Sequence, residues 1–302
     1  YGAPDEATFW GLLNEKLGGI KPETSEEEAD FQKLKDMIGE IPEGAGERFK
    51  PKEETVERFS ELVQDFFGGF LEHIPEDKEE FSSEEMVDIL NEILDEEFDG
   101  ESGYSAIVDS KASNASANHD ERVIKFPEGK TYSMAKAKAL ICHELGTHVM
   151  RAIPYLNHPV EALSKGLPEN ETFDEGVAKC VEQAINGKYE DSGVDHYINI
   201  GLATFCGKNF REVYEIQMLL KKLTHSKPDT VINAVQRCFR GTGELPNNKD
   251  LAYYNGANEV WKYIEEHIDD PELFDHLFLS GKSVITDEDQ ERLIYETKVG
   301  GI

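Results

Sequence analysis

The stretch ALICHELGTHVM, residues 139–150, holds three residues of the types that bind and use a divalent metal: His143, Glu144 and His148. A neutral imidazole nitrogen is a good zinc ligand, and a carboxylate beside a metal can take a proton from the water it binds. The common arrangement places two histidines four residues apart on one helix. Here they are five apart. In a straight α-helix residues four apart diverge by about 40°, whereas residues five apart diverge by about 140°. A single i→i+5 turn absorbs the extra residue and returns both side chains to one face, and such turns concentrate at functional sites. Gly146 lies between the histidines and is expected to supply the permissive backbone that this turn requires.

A zinc hydrolase uses three protein ligands and leaves one position for water. Two imidazoles make an incomplete set, so a carboxylate is expected downstream. The segment ETFDEGVAKCVEQ supplies Asp174 and Glu175, 26 and 27 residues past His148, after a connection holding Pro154, Pro159, Gly166 and Pro168. Glu144 is expected to act as the base and not as a ligand, which defines metal-assisted hydrolysis.

These residues need elements to hold them. SMAKAKALICHELGTHVMRAI reads as one helix, with Ser133 as its N-cap and Pro154 just beyond its end; DEGVAKCVEQAI reads as a second. YSAIVDS and ERVIKFP, both β-branched and bounded by Gly, Asn or Pro, read as strands, and the KASNASANHD between them as a loop. REVYEIQMLLKKL, DTVINAVQRCFRG, NNKDLAYYNGANEVWKYIEEHI and DPELFDHLFL continue a helical C-terminal part. Upstream, SEEEADFQKLKDMIG, KEETVERFSELVQDFFGGF and SSEEMVDILNEILDEEF are amphipathic helices. The second presents Val56, Phe59, Leu62, Val63 and Phe66, and the third Met86, Leu90, Ile93 and Leu94 after a capping-box start. The fold class is therefore α+β and mainly helical, with residues 1–100 as an acidic helical region and 101–302 as the catalytic domain.

Composition narrows the partners. The formal charge is −31, and residues 1–100 carry 30 acidic against 9 basic side chains. Such acidity argues against nucleic acid. The expectation for membranes is also none, because no apolar run approaches the ~18 residues of a membrane-spanning helix. Cys142, Cys180, Cys206 and Cys238 lack CxxC spacing and read as reduced thiols, which fits a cytoplasmic protein.

HELGTHVMR followed by FDEGVA resembles the zinc peptidases that include the microtubule-associated tyrosine carboxypeptidases, whose bacterial relatives carry a Gln-Glu-Gly-Leu-Ala motif. The resemblance extends over VDSKASNASANHDERVIKFPEGKTYS and CFRGTGELPNNKDLAYYNGANEVW, in all from about 104 to 290, with Arg240, Gly241, Lys249, Asp250, Tyr253 and Gly256 matching. It implies a zincin-like core with a small mixed sheet and one Zn2+ per chain. His143, His148 and Glu175 would be the ligands, Glu144 the general base, and Asp174 an outer partner. It also implies a carboxypeptidase that removes a C-terminal residue such as Tyr from a peptide or protein tail, tubulin being one such partner. A chain this acidic repels an acidic tail at long range, so the basic stretch 208–249 would have to meet it.

In that reading a substrate strand lies along the edge strand near 121–126. Tyr253 would donate to the oxyanion, and Arg240, or else Lys249, would bind the terminal carboxylate. Arg151 is expected to be a structural partner of the acidic helix. The other histidines, His119 among them, lack motif spacing and read as structural or surface residues. The alternatives are an endopeptidase or aminopeptidase with the same zinc centre, or a catalytically silent binding module.

Overall fold

The computed structural model describes residues 2–42, 48–98, 100–158, 160–241, 243 and 245–299. Pro159 lies outside them. The chain packs into two compact units, one of Tyr1–Lys50 with Asp191–Tyr254, the other of Pro51–Glu190 with Asn255–Ile302. The described residues are mainly helical with two small sheets, an α+β arrangement. None of their helices is long and apolar enough to cross a membrane.

The first unit is built from helices Glu6–Gly18, Ser25–Ile38, Val194–Phe205, Phe210–Leu223 and Val231–Phe239. Their apolar stripes meet in a core that includes Phe9, Leu13, Leu34, Tyr197, Ile216 and Leu220. Thr24 caps the second helix: its hydroxyl accepts from the Glu27 amide while the Glu27 carboxylate accepts from the Thr24 amide. Asp195, which binds both Lys16 and Lys221, ties the first helix of this unit to the fourth.

The second unit carries both sheets. Strands β1 (Glu80–Ser82), β2 (Ser105–Asp109), β3 (Ser116–Asn118), β4 (Val123–Pro127) and β5 (Thr131–Ser133) pair as β1–β5 and as β2–β4–β3. The three-stranded sheet is mixed: β4 runs parallel to β2 and antiparallel to β3. Two expectations are corrected here. KASNASANHD is not all loop, because its centre forms β3. And 121–126 is not an edge, because β4 is the central strand and β3 the edge beside it. β3 escaped the sequence because Ser-Ala-Asn lacks β-branched residues, and its pairing with β4 comes from tertiary placement.

Helix Ser83–Glu96 starts at the expected capping box, Ser82 with Glu85, and buries Met86, Leu90, Ile93 and Leu94. It lies along β2, where the Asn91 side chain accepts from the Ala106 amide at 2.7 Å and donates to its carbonyl at 3.2 Å. Helix Glu53–Phe66 buries Val56, Phe59 and Val63, but Phe66 is 39 % exposed because the helix ends there, and Phe67 turns inward instead.

Candidate metal centre

The helix that begins at Met134, capped as expected by Ser133, changes pitch at Ile141 and runs as a π-helix through Val149. The Met150 amide donates to the Leu145 carbonyl at 2.9 Å, an i→i+5 bond. Widening the helix in this way brings the His143 and His148 rings to 5.0 Å between centroids, at 76°. All nine π-helical residues are buried.

The reason for Gly146 differs from the expected one. Its backbone does not enter the left-handed region. A Cβ there would stand 2.6 Å from Cε1 of Phe67, so the glycine admits an aromatic ring against the helix. Phe67 is 1 % exposed and is itself packed by Phe66, Phe70 and Phe278.

Asp174 and Glu175 sit in the helix Asn170–Ile185. The backbone of this helix meets that of Leu251–His267 at a glycine pair. A Cβ on Gly176 would fall 2.3 Å from the Gly256 carbonyl oxygen, and one on Gly256 would fall 2.0 Å from the Thr172 carbonyl oxygen. The crossing is thus as close as backbones allow, and it fixes the helix turn that presents Glu175.

His143, Glu144 and His148 each offer one ligand atom, all within 4.8 Å of one another. Glu144 Oε1 and Glu175 Oε2 both lie 4.0 Å from His143 Nε2. Glu144 has its second oxygen engaged, since Oε2 accepts from the Ala117 amide of β3 at 3.0 Å. That bond holds the carboxyl plane and leaves Oε1 directed at the histidines.

Both histidines turn Nδ1 away from this cluster and toward an acid. His148 Nδ1 is 2.6 Å from Asp174 Oδ2. His143 Nδ1 faces Glu182 Oε2 at 3.5 Å, an ion-pair distance without a well-formed hydrogen bond. A metal-binding histidine commonly has its remote nitrogen held this way by a carboxylate. Two Nε2 atoms, two carboxylates and buried walls fit a divalent ion of borderline softness, with zinc the best match to the donors.

The backing acids are held ionised. Burial works to raise the Asp174 pKa, but Lys282, His148 and Arg151 outweigh it and hold the carboxyl well below the usual range. At Glu182 burial is likewise outweighed, by His143, Lys179 and Lys136. For His148 burial lowers the pKa, and Asp174 reverses this to give a net rise. Arg151, fully buried, is 3.3 Å from Asp174 Oδ1, the structural partnership expected of it. Lys282 Nζ lies 2.7 Å from Asp174 Oδ2 and also 2.7 Å from His119 Nε2, while His119 Nδ1 meets the Tyr104 hydroxyl at 2.8 Å. Burial, then Lys282, pushes the His119 pKa down to about 3, and burial pushes Tyr104 up to about 12.

Lys282, Glu182 and Tyr104 carried no signal in the sequence: each stands outside any motif, and only folding brings them here. His119, one residue after β3, likewise gains its place from the strand that the sequence hid. Cys142 is buried with its thiol pKa pushed up by burial, and it is no part of the cluster.

Arg240, Lys249 and Tyr253 belong to the first unit. There Asp250, 2 % exposed, accepts from Arg237 Nε at 2.8 Å and Nη2 at 2.6 Å, so Arg237 is the guanidinium committed to it. Arg240 Nη2 stands 3.8 Å from the same carboxylate. The Tyr253 hydroxyl is 3.4 Å from Arg237 Nη2, and the Lys249 amide donates to Asn247 Oδ1 at 2.9 Å.

A buried pair of imidazoles on a π-helix, faced by carboxylates and backed by carboxylates, is a group of side chains that could hold a divalent ion. The family model described as microtubule-associated tyrosine carboxypeptidase matches residues 44–299, most of the chain, and the chain belongs to that family. The comparisons with curated proteins and with solved structures return no match.

Proposed function

We propose that the chain is a zinc carboxypeptidase with a zincin-like core, in which His143, His148 and Glu175 hold one Zn2+ and Glu144 is the general base. The observation that carries this reading is the Glu144 carboxylate. One oxygen is tied to the Ala117 amide and the other, at 4.0 Å from His143 Nε2, is left toward the ligand cluster. A purely structural metal site has no use for a carboxylate oriented but not consumed in this way. Glu175 is the better third ligand, because its helix comes from a separate part of the chain and its Oε2 reaches the same nitrogen at the same distance.

When bound, zinc supplies a Lewis acid that brings the pKa of its water toward ~7 and polarises a carbonyl. The protein's own groups do the rest. Glu144 Oε1 takes the proton from the attacking water and delivers it to the leaving amine, while the Ala117 amide keeps Oε2 from rotating away. Asp174 and Glu182 hold the imidazole rings in orientation. β3 is the edge strand, where an extended peptide would add to this sheet, and its Ala117 amide is already taken by Glu144.

The family description points to a C-terminal tyrosine as the first leaving residue to try, with a tubulin-like acidic tail as its source. The test is mass spectrometry of peptides with free, amidated or N-acetylated ends, including an acidic tail ending in Tyr, after incubation with protein loaded with one zinc. Removal of one C-terminal residue, blocked by amidation and lowered about 10²- to 10⁴-fold by Glu144→Gln, is expected. Internal cleavage of doubly blocked peptides would instead make it an endopeptidase, and turnover by Glu144→Gln at the wild-type rate would remove the proposed base. Arg240→Ala and Lys249→Ala in the same panel test the two cations offered for the terminal carboxylate.

A further inference from the structure

We propose that Lys282 is a positioning residue of the metal centre: its ammonium holds the Asp174 carboxylate that orients the His148 ring and so keeps His148 Nε2 aimed at the place of a divalent ion. This inference rests on the metal-site reading above.

The argument is one of donors and acceptors. His148 Nδ1 and Lys282 Nζ converge on a single atom, Asp174 Oδ2, at 2.6 and 2.7 Å. An ammonium has donors and no acceptor. Lys282 therefore donates to Oδ2 and pins the carboxylate oxygen against which the imidazole is set. That contact fixes the plane of the His148 ring and with it the direction of Nε2. Without Lys282 the oxygen keeps only its contact with His148, and the carboxylate can turn and carry the ring with it.

The other cations nearby do not do this. Arg151 stands on the far oxygen, Oδ1, without a hydrogen bond to it, and its Nε and Nη2 are spent on the carbonyls of Gly281 and Ser283. Those carbonyls flank Lys282, so Arg151 grips the backbone that carries the ammonium. The grip is reinforced from the other side: the Lys282 amide donates to the Leu163 carbonyl at 2.7 Å and its carbonyl accepts from the Leu167 amide at 2.9 Å. Gly281, at φ +74°, makes the turn, and a Cβ there would meet the Leu163 carbonyl at 2.8 Å. At the second histidine the corresponding acid, Glu182, is served by Lys136 and Lys179, whose side chains are 47 % and 26 % exposed, whereas that of Lys282 is 6 % exposed. Lys282 and Arg151 are the buried cations beside Asp174, and of the two Lys282 is the one hydrogen-bonded to the oxygen that His148 meets. His119 completes its coordination, with Nε2 accepting from Nζ and the ring hydrogen on Nδ1 left for Tyr104.

The test is zinc affinity, measured by competition with a chromophoric chelator at neutral pH, for wild type, Lys282→Met, Asp174→Asn, their double variant and His119→Phe. Circular dichroism of each metal-free protein checks that it folds. Lys282→Met is expected to weaken zinc binding about 10- to 100-fold, the usual effect of losing an outer partner. On the Asp174→Asn background the same change is expected to cost less than twofold, since the carboxylate through which Lys282 acts is already gone. A merely structural lysine would show equal losses on both backgrounds. His119→Phe removes the second anchor of Nζ while sparing the ammonium, and a severalfold loss is expected. Should Lys282→Met fail to fold, His119→Phe decides. The inference is overturned by affinity within twofold of wild type in Lys282→Met or, where that variant does not fold, in His119→Phe, and equally by losses that multiply in the double variant. Wild-type protein that binds no zinc would overturn the metal-site reading and this inference together. Zinc bound tightly by both wild type and Lys282→Met would overturn the inference alone.

Discussion

Replacing Gly146 by alanine puts one methyl group where the structure has an aromatic ring. The new Cβ would lie 2.6, 3.0 and 3.2 Å from Cε1, Cζ and Cδ1 of Phe67. Carbon atoms settle at about 3.6 Å, so the ring or the helix must retreat by ~1 Å. The ring has little room, being packed at 5.0, 5.5 and 5.3 Å between centroids by Phe66, Phe70 and Phe278. Overpacking of this kind costs ~1–3 kcal/mol. Alanine returns up to ~1 kcal/mol through its helix propensity, and at the severe end of the overpacking range the net loss is ~2 kcal/mol. Urea unfolding can read it out in one unit at a time. The chain has two tryptophans, Trp10 and Trp261, and they fall in different units, so a Trp10→Phe background leaves Trp261 to report on the unit that holds the π-helix. With an m-value near ~3 kcal/mol/M the midpoint should fall by ~0.7 M. Adding Phe67→Leu, which empties the clashing space, should recover about half of that loss relative to the sum of the two single changes. An unchanged or higher midpoint for Gly146→Ala would mean that helix propensity governs this position and that the Phe67 ring does not require the glycine.

Gly256→Ala should cost more, ~3 kcal/mol or beyond, because its Cβ would fall 2.0 Å from a backbone carbonyl and no side chain can move aside; the same unfolding assay, with a loss under ~1 kcal/mol, would refute the helix crossing. His119 should stay neutral in the folded protein to about pH 3, which an NMR titration of its ring can follow. Its folded pKa lies below the unfolded ~6.5, so the unfolded chain binds the extra proton and stability falls as pH drops between those values, by up to ~1.4 kcal/mol per unit. His119→Phe should flatten that slope between about pH 6.5 and 4, and a parallel slope would show the imidazole to be already charged.

What could be read in the sequence was local. A five-residue spacing cannot close on one face of an α-helix, so the positions of His143 and His148 alone require a π-turn, although the turn extends over nine residues where one was needed. The caps at Ser82 and Ser133 were legible because a capping side chain bonds within three residues of itself. Gly146 stands out in the sequence for the wrong reason, since its partner Phe67 lies 79 positions earlier and only packing reveals the contact. Helix Val194–Phe205 and strands β1, β3 and β5 were not expected; each strand is three residues long, too short for alternation to show. Lys282 is the extreme case, a lysine between a glycine and a serine in a loop, with nothing in its neighbourhood to mark it.

Asp174 and Lys282 stand 108 residues apart, and most of the first compact unit is encoded between them. On a ribosome moving at ~5–20 residues per second, roughly 5–20 s separate the synthesis of the acid from that of its ammonium. Through that interval the nascent chain already holds both histidines and Glu175, yet the segment that bonds Asp174 beside His148 has not been made. A chain arrested before Lys282 would carry every proposed ligand and still lack a finished site. Birth order thus places the meeting of this acid with its ammonium after most of the intervening unit has been made.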